Sequence, residues 1–256
     1  MTPAALLDVR SVTQRFGGFT ALDDVSCSIQ AGSISSLIGP NGAGKTTLFN
    51  VISGLISPSR GSLGFDGTDY TGRRPDEIVR LGIARNFQQV RLFPALSVVE
   101  NVMVGAHQKL PRTGLLDFLG GPFSYDRVDR LARSIATEML DLVEFRSSGN
   151  THPQQLTLVD QRRVEIARAL ASDPKLLLLD EPAAGMNPSE SNQLGAIIRK
   201  IRDLGRTVLL VEHNMRLVMS ISDHVSVLSA GKVIASGTPS TVQAEPAVIA
   251  AYLGNL

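Results

Sequence analysis

The chain has 256 residues, of which 43% are hydrophobic and 19% charged, and its formal net charge is +1. These values are typical of a folded globular protein and exclude a disordered chain, and the near-zero charge argues against nucleic acid as a main partner. No apolar run approaches the roughly 18 residues of a membrane-spanning helix, and residues 1–8 lack the pattern of a secretory signal. The single cysteine, Cys27, cannot form an internal disulfide, which favours a cytoplasmic protein, and we expect it to fill the core of a strand.

Two strands are predicted ahead of residue 33. Residues 6–12 and 21–29 have the apolar content of strands, and the second segment alternates with period two apart from one irregularity. The pair indicates a small antiparallel sheet, with a turn over residues 14–18. Within that turn, Phe16 precedes a glycine pair, where its ring could pack in the core or stack on a purine base.

Residues 39–47 fit the pattern of a phosphate-binding loop, which is Gly, four residues, Gly-Lys and then Ser or Thr. Residues 33–38 predict a strand that enters this loop, and the sequence from Thr46 onward predicts a helix that leaves it. Glycines allow the backbone to curl around a phosphate with its N–H groups inward, and the helix N-terminus adds partial positive charge. We therefore expect Lys45 to bind the β- and γ-phosphates, Thr46 to bind Mg²⁺ and Thr47 to donate to the α-phosphate. The residues expected to hold the nucleotide are Gly39, Asn41, Gly42, Ala43, Gly44, Lys45, Thr46 and Thr47.

An extended segment over residues 83–88 ends at Gln88, and a mainly helical region follows it. Ser97 and Glu100 have the spacing of a capping box that opens a helix. Residues 105–125 are irregular and read as an insertion or loop. Two helices are predicted beyond them, over 126–143 and 156–171. The first is amphipathic, and the face expected to be buried carries Val128, Leu131, Ile135, Met139 and Leu142.

Residues 175–181 form an apolar run that ends in two acids, which fits a strand buried on both faces of a parallel sheet. With a phosphate loop upstream, Asp180 is the expected Mg²⁺ ligand, and Glu181 can polarise a water for attack on the γ-phosphate. Another buried strand is predicted over 207–211, close before His213. Strands that alternate with helices indicate a parallel α/β sheet, which binds ligands beyond the carboxyl ends of its strands. The remaining segments read as a strand over 62–66, a helix from residue 73, a helix over 189–204, a hairpin over 224–237 and short helices over 240–243 and 247–252.

Together these motifs resemble those of the ATP-binding cassette (ABC) family, in the family's order and over nearly the whole chain. The matching features are Phe16, the phosphate loop 39–47, Gln88, a signature-like segment 156–163, the strand and acids 176–181, a D-loop-like segment 184–187 and His213. The resemblance implies an α/β fold of the P-loop NTPase class, with a RecA-like parallel-sheet core, an antiparallel β subdomain and an inserted α-helical subdomain. The implied boundaries are 1–88 for the first part of the core with the antiparallel subdomain, 89–162 for the helical signature subdomain, and 163–256 for the rest of the core with the C-terminal hairpin and helices.

The resemblance also implies a role for individual residues in ATP hydrolysis. Phe16 takes the base-stacking position, and Gln88 takes the position that senses Mg²⁺ and the attacking water and links to a membrane partner. Glu181 takes the position of the general base. His213 takes that of the residue that contacts the γ-phosphate and holds Glu181. With Lys45, these residues make up the implied catalytic set of an ATPase whose cofactors are ATP and Mg²⁺.

The signature-like segment departs from the family pattern, which is approximately Leu-Ser-Gly-Gly-Gln. In the implied dimer, two subunits pack head to tail, and Thr157, Val159 and Asp160 face the ATP held by the partner's phosphate loop. Thr157 keeps a hydroxyl, and Leu158 replaces the first Gly, a position where related importers often carry a bulky residue. Val159 replaces the second Gly, whose backbone approaches the γ-phosphate closely. A β-branched side chain restricts the backbone and adds bulk. We therefore expect this signature to serve the partner's ATP poorly, which in a heterodimer gives one competent and one weakened site.

Several segments look closest to one ATPase subunit of the branched-chain amino acid importers, namely residues 15–18, 87–93, 160–168, 179–188, 211–219 and 251–254. This resemblance implies import of branched-chain amino acids or related amides at the cytoplasmic face of the inner or plasma membrane. The implied partners are a second ABC ATPase subunit, transmembrane permease subunits and, indirectly, a periplasmic or extracytoplasmic solute-binding protein, with no nucleic acid. Urea importers look much the same, and a cassette for lipid or lipopolysaccharide export remains open, as does the choice between a heterodimer and a homodimer.

Other protein classes fit the sequence less well. A cassette ATPase that acts on DNA or in translation is expected to carry coiled-coil insertions, zinc-binding cysteines or tandem cassettes, and the sequence has none of them. A GTPase or a small-molecule kinase explains neither the signature-like segment nor His213, and no Asn-Lys-x-Asp motif occurs. The apolar run of Val90, Leu92, Phe93 and Leu96 either lines a groove for a membrane subunit's helix or lies in the core.

Overall fold

The computed structural model describes residues 5–86, 89–107, 109–110 and 122–253, without the side chains of 122–125 and 253. The chain divides into two compact units, one formed by Met1–Arg85 with Lys175–Leu256 and the other by Asn86–Pro174. The predicted helical insertion, 89–162, is a segment of the second unit, which continues to Pro174.

The secondary structure of the described residues alternates between strands and helices. The strands are β1 (Ala5–Phe16), β2 (Phe19–Gln30), β3 (Ile34–Ile38), β4 (Arg60–Phe65), β5 (Thr68–Asp69), β6 (Ile83–Arg85), β7 (Leu176–Asp180), β8 (Thr207–Val211), β9 (His224–Ser229) and β10 (Lys232–Gly237). The helices are α1 (Lys45–Ile52), α2 (Pro75–Leu81), α3 (Val98–Ala106), α4 (Pro122–Leu142), α5 (Leu158–Ala171), α6 (Pro188–Asp203), α7 (Met215–Ile221), α8 (Pro239–Gln243) and α9 (Pro246–Leu253), with a 3-10 turn at Pro153–Gln155.

The main sheet of the first unit has the strand order β10-β9-β3-β8-β7-β6. Its strands run parallel except β10, which pairs antiparallel with β9. Every residue of β3, β7 and β8 is buried, as expected for strands that are covered on both faces. Leu37 of β3 and Asp180 of β7 both pair with Val211 of β8, so these three strands end level at the carboxyl edge of the sheet. The predicted α/β fold with a parallel core is confirmed.

A second sheet in the same unit is antiparallel, with the order β2-β1-β4-β5. Its first strand continues to Phe16, so the predicted turn over 14–18 is wrong for Gln14–Phe16 and the chain reverses only at the following glycine pair. The pairing of β1 with β2 shifts between Val12, Gln14 and Arg15. Such bulges interrupt the alternation of side chains between the two faces of the sheet. A prediction from the apolar period therefore ends the strand too early.

One hydrophobic core packs α1 against both sheets of the first unit. It includes Val25 of β2, Leu48 and Phe49 of α1, and Leu178 and Leu209 of the central parallel strands. The phosphate-loop helix is therefore held from two sides. Cys27 packs at the border of this core, and burial, with a smaller effect of the Asp8 carboxylate, raises the pKa of its thiol to about 12.

The second unit contains α3, α4 and α5. The predicted capping box is confirmed at the start of α3, where Ser97 and Glu100 bond each other's backbone N–H groups. The predicted buried face of α4 is wrong for Leu131, which is 44% exposed, while Val128, Ile135, Met139 and Leu142 are partly buried. The fully buried residues of this segment are Ala132, Ala136, Leu140 and Val143. Small residues on a helix face let a neighbouring helix approach closely. The apolar pattern alone does not show whether this face or the adjacent face with larger apolar residues is the buried one. Among the helices that the structure describes, none combines the length and apolarity needed to cross a bilayer.

Candidate active site

The phosphate loop connects the end of β3 to the start of α1. Gly39 has a φ of +150°, and Gly44, the residue before α1, has a φ of +103°. A Cβ added to Gly39 would lie 2.0 Å from the carbonyl oxygen of Leu228, and one added to Gly44 would lie 2.7 Å from that of Ala21. Both positions therefore require glycine, for backbone conformation and for space. The loop ends at the N-terminus of α1, where backbone N–H groups and the helix dipole favour an anion.

The ammonium group of Lys45 lies within this loop. Its Nζ donates to the carbonyl oxygens of Gly39 and Pro40, at 2.7 Å and 2.9 Å. Burial lowers the pKa of Lys45, and the carboxylates of Glu181 and Asp180 act in the opposite direction. The cation is therefore within electrostatic reach of both acids that follow the apolar run of β7. Of the other predicted loop residues, Asn41, Gly42 and Thr46 are exposed, Gly44 and Thr47 are partly exposed and Ala43 is buried.

Asp180, the last residue of β7, forms a buried ion pair with Arg85, the last residue of β6. Nη2 of Arg85 donates to Oδ2 of Asp180 at 2.8 Å, and the two side chains are 8% and 3% exposed. Nη1 of Arg85 donates to Oδ1 of Asn50 at 2.8 Å and to Oγ of Ser53 at 2.9 Å. The guanidinium carbon also lies 5.6 Å from the centre of the Phe49 ring. One guanidinium thus ties β6, β7 and the end of α1 together and orients the Asp180 carboxylate.

Glu181 and His213, from loops after two neighbouring strands, face each other. Nε2 of His213 lies 2.8 Å from Oε1 of Glu181, and because a carboxylate only accepts, the histidine nitrogen is the donor. The backbone N–H of Glu181 donates to the carbonyl oxygen of Val211 at 2.9 Å. Glu181 has a φ of +49°, an uncommon value for a residue with a side chain. The turn directly after β7 therefore fixes the position from which the carboxylate extends.

A third acid, Glu212, stands between β8 and His213 and is buried. Its Oε1 accepts from the backbone N–H of Ala183 at 2.7 Å. Its Oε2 accepts from the backbone N–H groups of His213 and Asn214, at 3.0 Å and 3.2 Å. One carboxylate thus bonds both the loop that carries Glu181 and the loop that carries His213.

Two other predicted nucleotide-site residues have different outcomes. Phe16 lies at the tip of the β1–β2 hairpin, opposite Phe19, and the two rings are 48% and 64% exposed. The alternative that Phe16 packs in the core is therefore wrong, and the ring is accessible to a planar ligand. Gln88 lies outside the described residues.

The signature-like residues lie at the start of α5, in the second unit. Thr157 caps the helix, because its Oγ1 accepts from the N–H of Asp160 at 3.2 Å. The same hydroxyl lies 3.1 Å from Oδ2 of Asp160. Leu158 is 46% exposed and Val159 partly exposed. The segment thus presents a helix N-terminus in which a bulky side chain stands at residue 159.

The oxygen donors at the sheet edge fit a Mg²⁺ ion that binds together with a nucleotide. In the described parts of the chain, no group of three or more His, Cys, Asp or Glu side chains could hold a metal by itself. Thr46 is an exposed residue in the first turn of α1, and Asp180 is the last residue of β7, at the carboxyl edge of the sheet. Mg²⁺ in nucleotide sites takes only one or two protein oxygens beside phosphate and water, so this donor set is sufficient.

The comparison with known proteins identifies the family. A family model described as ABC transporter matches residues 22–184. The chain belongs to the ABC transporter family. A second model, described as branched-chain amino acid ATP-binding cassette transporter, matches residues 232–255 of this cassette.

Similar proteins cover almost the entire cassette. It is 43% identical over 253 residues to the high-affinity branched-chain amino acid transport ATP-binding protein BraF of Pseudomonas aeruginosa, over 97% of this chain and 98% of that protein. The solved structure of an ABC transporter cassette in its ADP conformation matches with a TM-score of 0.84 and 29% identity, over 98% of this chain and 99% of the other. A dimeric cassette in a post-hydrolysis state, bound to ADP and phosphate, matches with a TM-score of 0.77 and 28% identity, over 91% and 98%. The chain is therefore an ABC-type ATPase, and cassettes of its family dimerise and act with permease subunits.

Two charged residues at this edge of the sheet, Arg85 and Glu212, are absent from the predicted set. Arg85 ends β6 and Glu212 directly follows β8, so each stands beside the end of β7 in the sheet. A charged residue at the carboxyl end of a buried strand is the signal that could have found them.

Proposed function

We propose that this cassette hydrolyses ATP to ADP and phosphate to drive the import of branched-chain amino acids or related amides, as one ATPase subunit of a membrane transporter. The observation that carries the proposal is the hydrogen-bonded pair of Glu181 and His213, with 2.8 Å between Oε1 and Nε2. This pair stands beside Asp180 at the carboxyl edge of the sheet, and its Glu181 is within electrostatic reach of Lys45.

The proposed nucleotide site begins with the phosphate loop. Backbone N–H groups over 39–47 hold the β- and γ-phosphates at the N-terminus of α1. Lys45 exchanges its bonds to the carbonyls of Gly39 and Pro40 for bonds to the phosphates, and as a buried cation it gains strongly from an anion. Thr47 donates to the α-phosphate, and the exposed ring of Phe16 stacks on the base.

Glu181 is the proposed general base. Its carboxylate accepts a proton from the water that attacks the γ-phosphorus, the bond between that phosphorus and the β–γ bridging oxygen breaks, and ADP leaves. His213 orients the carboxylate through its Nε2 and contacts the γ-phosphate. Gln88 positions the water and links the site to the permease.

Thr46, Asp180 and Gln88 are the proposed protein ligands for Mg²⁺, whose positive charge, when bound, offsets that of the phosphates. Asp180 can serve because it ends β7 at the carboxyl edge of the sheet and the bond from Arg85 fixes the direction of its carboxylate. Thr46 can serve because it is an exposed residue in the first turn of α1 and carries a hydroxyl group.

The substrate class rests on the relatives. The family model that matches residues 232–255 is described as a branched-chain amino acid transporter, and BraF is a branched-chain amino acid transport protein. We place the cassette at the cytoplasmic face of the membrane, bound to transmembrane permease subunits that receive solute from an extracytoplasmic binding protein. The exposed side chain of Phe93, with its apolar neighbours over 90–96, is the proposed contact for a permease helix.

The second ATPase of the dimer is proposed to be a different chain. Val159 places a β-branched side chain in the first turn of α5, where a glycine would let backbone N–H groups reach the partner's γ-phosphate. This chain keeps the ABC family pattern in its phosphate loop, at Glu181 and at His213. A heterodimer therefore has one competent site and one weakened site, and the weakened site is the one that uses this chain's signature.

The test is to identify the proteins that purify with the Glu181→Gln variant from membranes in the presence of ATP and Mg²⁺. Without the base, ATP is retained, the dimer stays closed, and mass spectrometry should find a second ABC ATPase and permease subunits. The matched control adds Lys45→Ala to Glu181→Gln, which removes phosphate binding and should release these partners. Recovery of export components, or of no membrane protein, would contradict the proposed import function.

A further inference from the structure

We infer that Glu212 is a positioning residue for ATP hydrolysis, because it holds the loop of Glu181 and the loop of His213 in one fixed arrangement. The inference rests on the proposed roles of those two residues. Glu212 itself is not expected to touch ATP, since both of its carboxylate oxygens are bonded to backbone N–H groups and the side chain is buried.

The geometry of Glu212 is that of a clamp between two loops. Oε1 accepts from Ala183, two residues after the base, at 2.7 Å. Oε2 accepts from His213 at 3.0 Å and from Asn214 at 3.2 Å. The two loops are also joined by the His213–Glu181 contact, so the clamp and the catalytic pair connect the same two segments.

The clamp continues into the helices behind the site. Asn214 caps α7, where its Oδ1 accepts from the N–H of Leu217 at 3.2 Å. Its Nδ2 donates to Oγ of Ser191, in the first turn of α6, at 3.1 Å. These bonds fix the His213 loop against α6 and α7. Glu212 in turn bonds the turn that carries Glu181, so this turn is fixed against the same helices.

Only a carboxylate satisfies these donors. It offers two acceptor oxygens, one toward each loop, and buried N–H groups that lose an acceptor are not compensated by water. A glutamine has the same shape but must place its NH₂ group against the N–H groups of one loop. Glu212→Gln therefore releases one loop from the other while it keeps the volume of the side chain.

The first measurement is the steady-state ATPase activity of the full-length Glu212→Gln protein, in the isolated chain and in the complex with its membrane subunits. We expect kcat to fall about 10- to 100-fold, since misplacement of a base or its partner by about an ångström has effects of this size. The KM for ATP should change less than about threefold, because the phosphate loop is untouched. The matched control is Glu77→Gln, whose carboxylate accepts the backbone N–H of Arg74 on an exposed helix start, and it should retain the wild-type kcat.

A double-mutant cycle separates positioning from a general loss of stability. If Glu212 acts through His213 and Glu181, then adding Glu212→Gln to His213→Ala should reduce kcat by less than about threefold further. A fall by the same factor in both backgrounds would show a merely structural role and overturn the inference. An unchanged kcat in Glu212→Gln would overturn it as well.

Two further variants keep the test decisive. If Glu212→Gln does not fold, Glu212→Asp retains the charge but reaches only one loop, and it should give an intermediate kcat, whereas wild-type kcat would overturn the inference. Glu181→Gln tests the proposed function separately. Wild-type hydrolysis in Glu181→Gln would overturn the proposed site and the clamp with it, while its loss together with normal activity of Glu212→Gln would overturn the clamp alone.

Discussion

Arg85 illustrates how a single residue supports the proposed Mg²⁺ ligand. Its guanidinium and the Asp180 carboxylate are both withdrawn from water, and Nη1 of the guanidinium donates to Asn50 and Ser53. A buried pair of this kind adds little net stability compared with an apolar pair, but removing one partner is costly because the other charge stays buried.

This asymmetry gives the prediction for Arg85→Ala. We expect the free energy of unfolding to fall by about 3–5 kcal/mol, because Asp180 would lose the cation of Arg85 while remaining buried. The control is Arg80→Ala, which removes an exposed pair with Asp76 and should cost less than about 1 kcal/mol. Urea unfolding of both variants measures the difference, and similar values for the two would count against the argument.

The sequence predicted some of these residues better than others. Lys45, Asp180 and His213 could be placed because a loop pattern and two apolar runs locate them at strand ends, whatever the rest of the chain does. No comparable pattern in the sequence assigns a role to Glu212 or Arg85. Their proposed roles depend on bonds to Ala183 and Asp180, which are 29 and 95 residues away along the chain.

At the scale of the element, the phosphate loop is held in place by a turn from the other end of the chain. Gly39 passes so close to the end of β9, just before the β9–β10 turn, that a Cβ would lie 2.0 Å from the Leu228 carbonyl oxygen. The backbone N–H of Gly231, in that turn, also donates to the carbonyl oxygen of Ala43 at 3.0 Å. The loop therefore has little room to rearrange.

Gly39→Ala should consequently destabilise the protein by about 2–4 kcal/mol and weaken ATP binding at least about tenfold, since the loop must move away from Leu228. The matched control is Gly72→Ala. This residue has a φ of +71° but no atom within 4 Å of an added Cβ, so only conformational strain of about 1–2 kcal/mol is expected. Unfolding and nucleotide titration of the two variants test the difference, and equal weakening of ATP binding would contradict it.

The start of α5 carries the prediction about asymmetry. Val159→Gly should raise the ATPase rate of the assembled transporter about tenfold or more, because backbone N–H groups then reach the partner's phosphate. Leu158→Gly, one residue earlier, is the matched control and should leave the rate unchanged. The experiment requires the complete complex, and a rate that does not rise with Val159→Gly would refute the proposed weakening.

Elements with strong local signals were predicted closely, and weak ones were missed. Residues 207–211 and the hairpin over 224–237 were predicted at their observed bounds, because a fully buried strand and an Ala-Gly turn are local features. α7 was not predicted, since its seven residues are too few to establish a helical period. The buried face of α4 was predicted only in part, because the burial of its alanines depends on the neighbouring helices, which the sequence of α4 does not contain.

At the scale of the whole molecule, the parallel order β3-β8-β7 explains why distant motifs meet. The three strands end level, so whatever follows each of them lies at one edge of the sheet. The phosphate loop follows the first, Glu212 and His213 follow the second, and Glu181 follows the third. The fold class could be predicted because alternating strands and helices favour this topology, whereas the bonds across the edge depend on side-chain geometry.

The central claim is that Glu181 acts as the base on ATP held by the phosphate loop, and one measurement tests it most directly. This is the comparison of Mg²⁺-dependent ATP binding and hydrolysis between the wild-type protein and Glu181→Gln. The account predicts that the variant binds ATP within about threefold of wild type but hydrolyses it at least about 100-fold more slowly, as expected when a general base is removed. Hydrolysis by the variant at the wild-type rate, or a wild-type protein without Mg²⁺-dependent affinity for ATP, would contradict it.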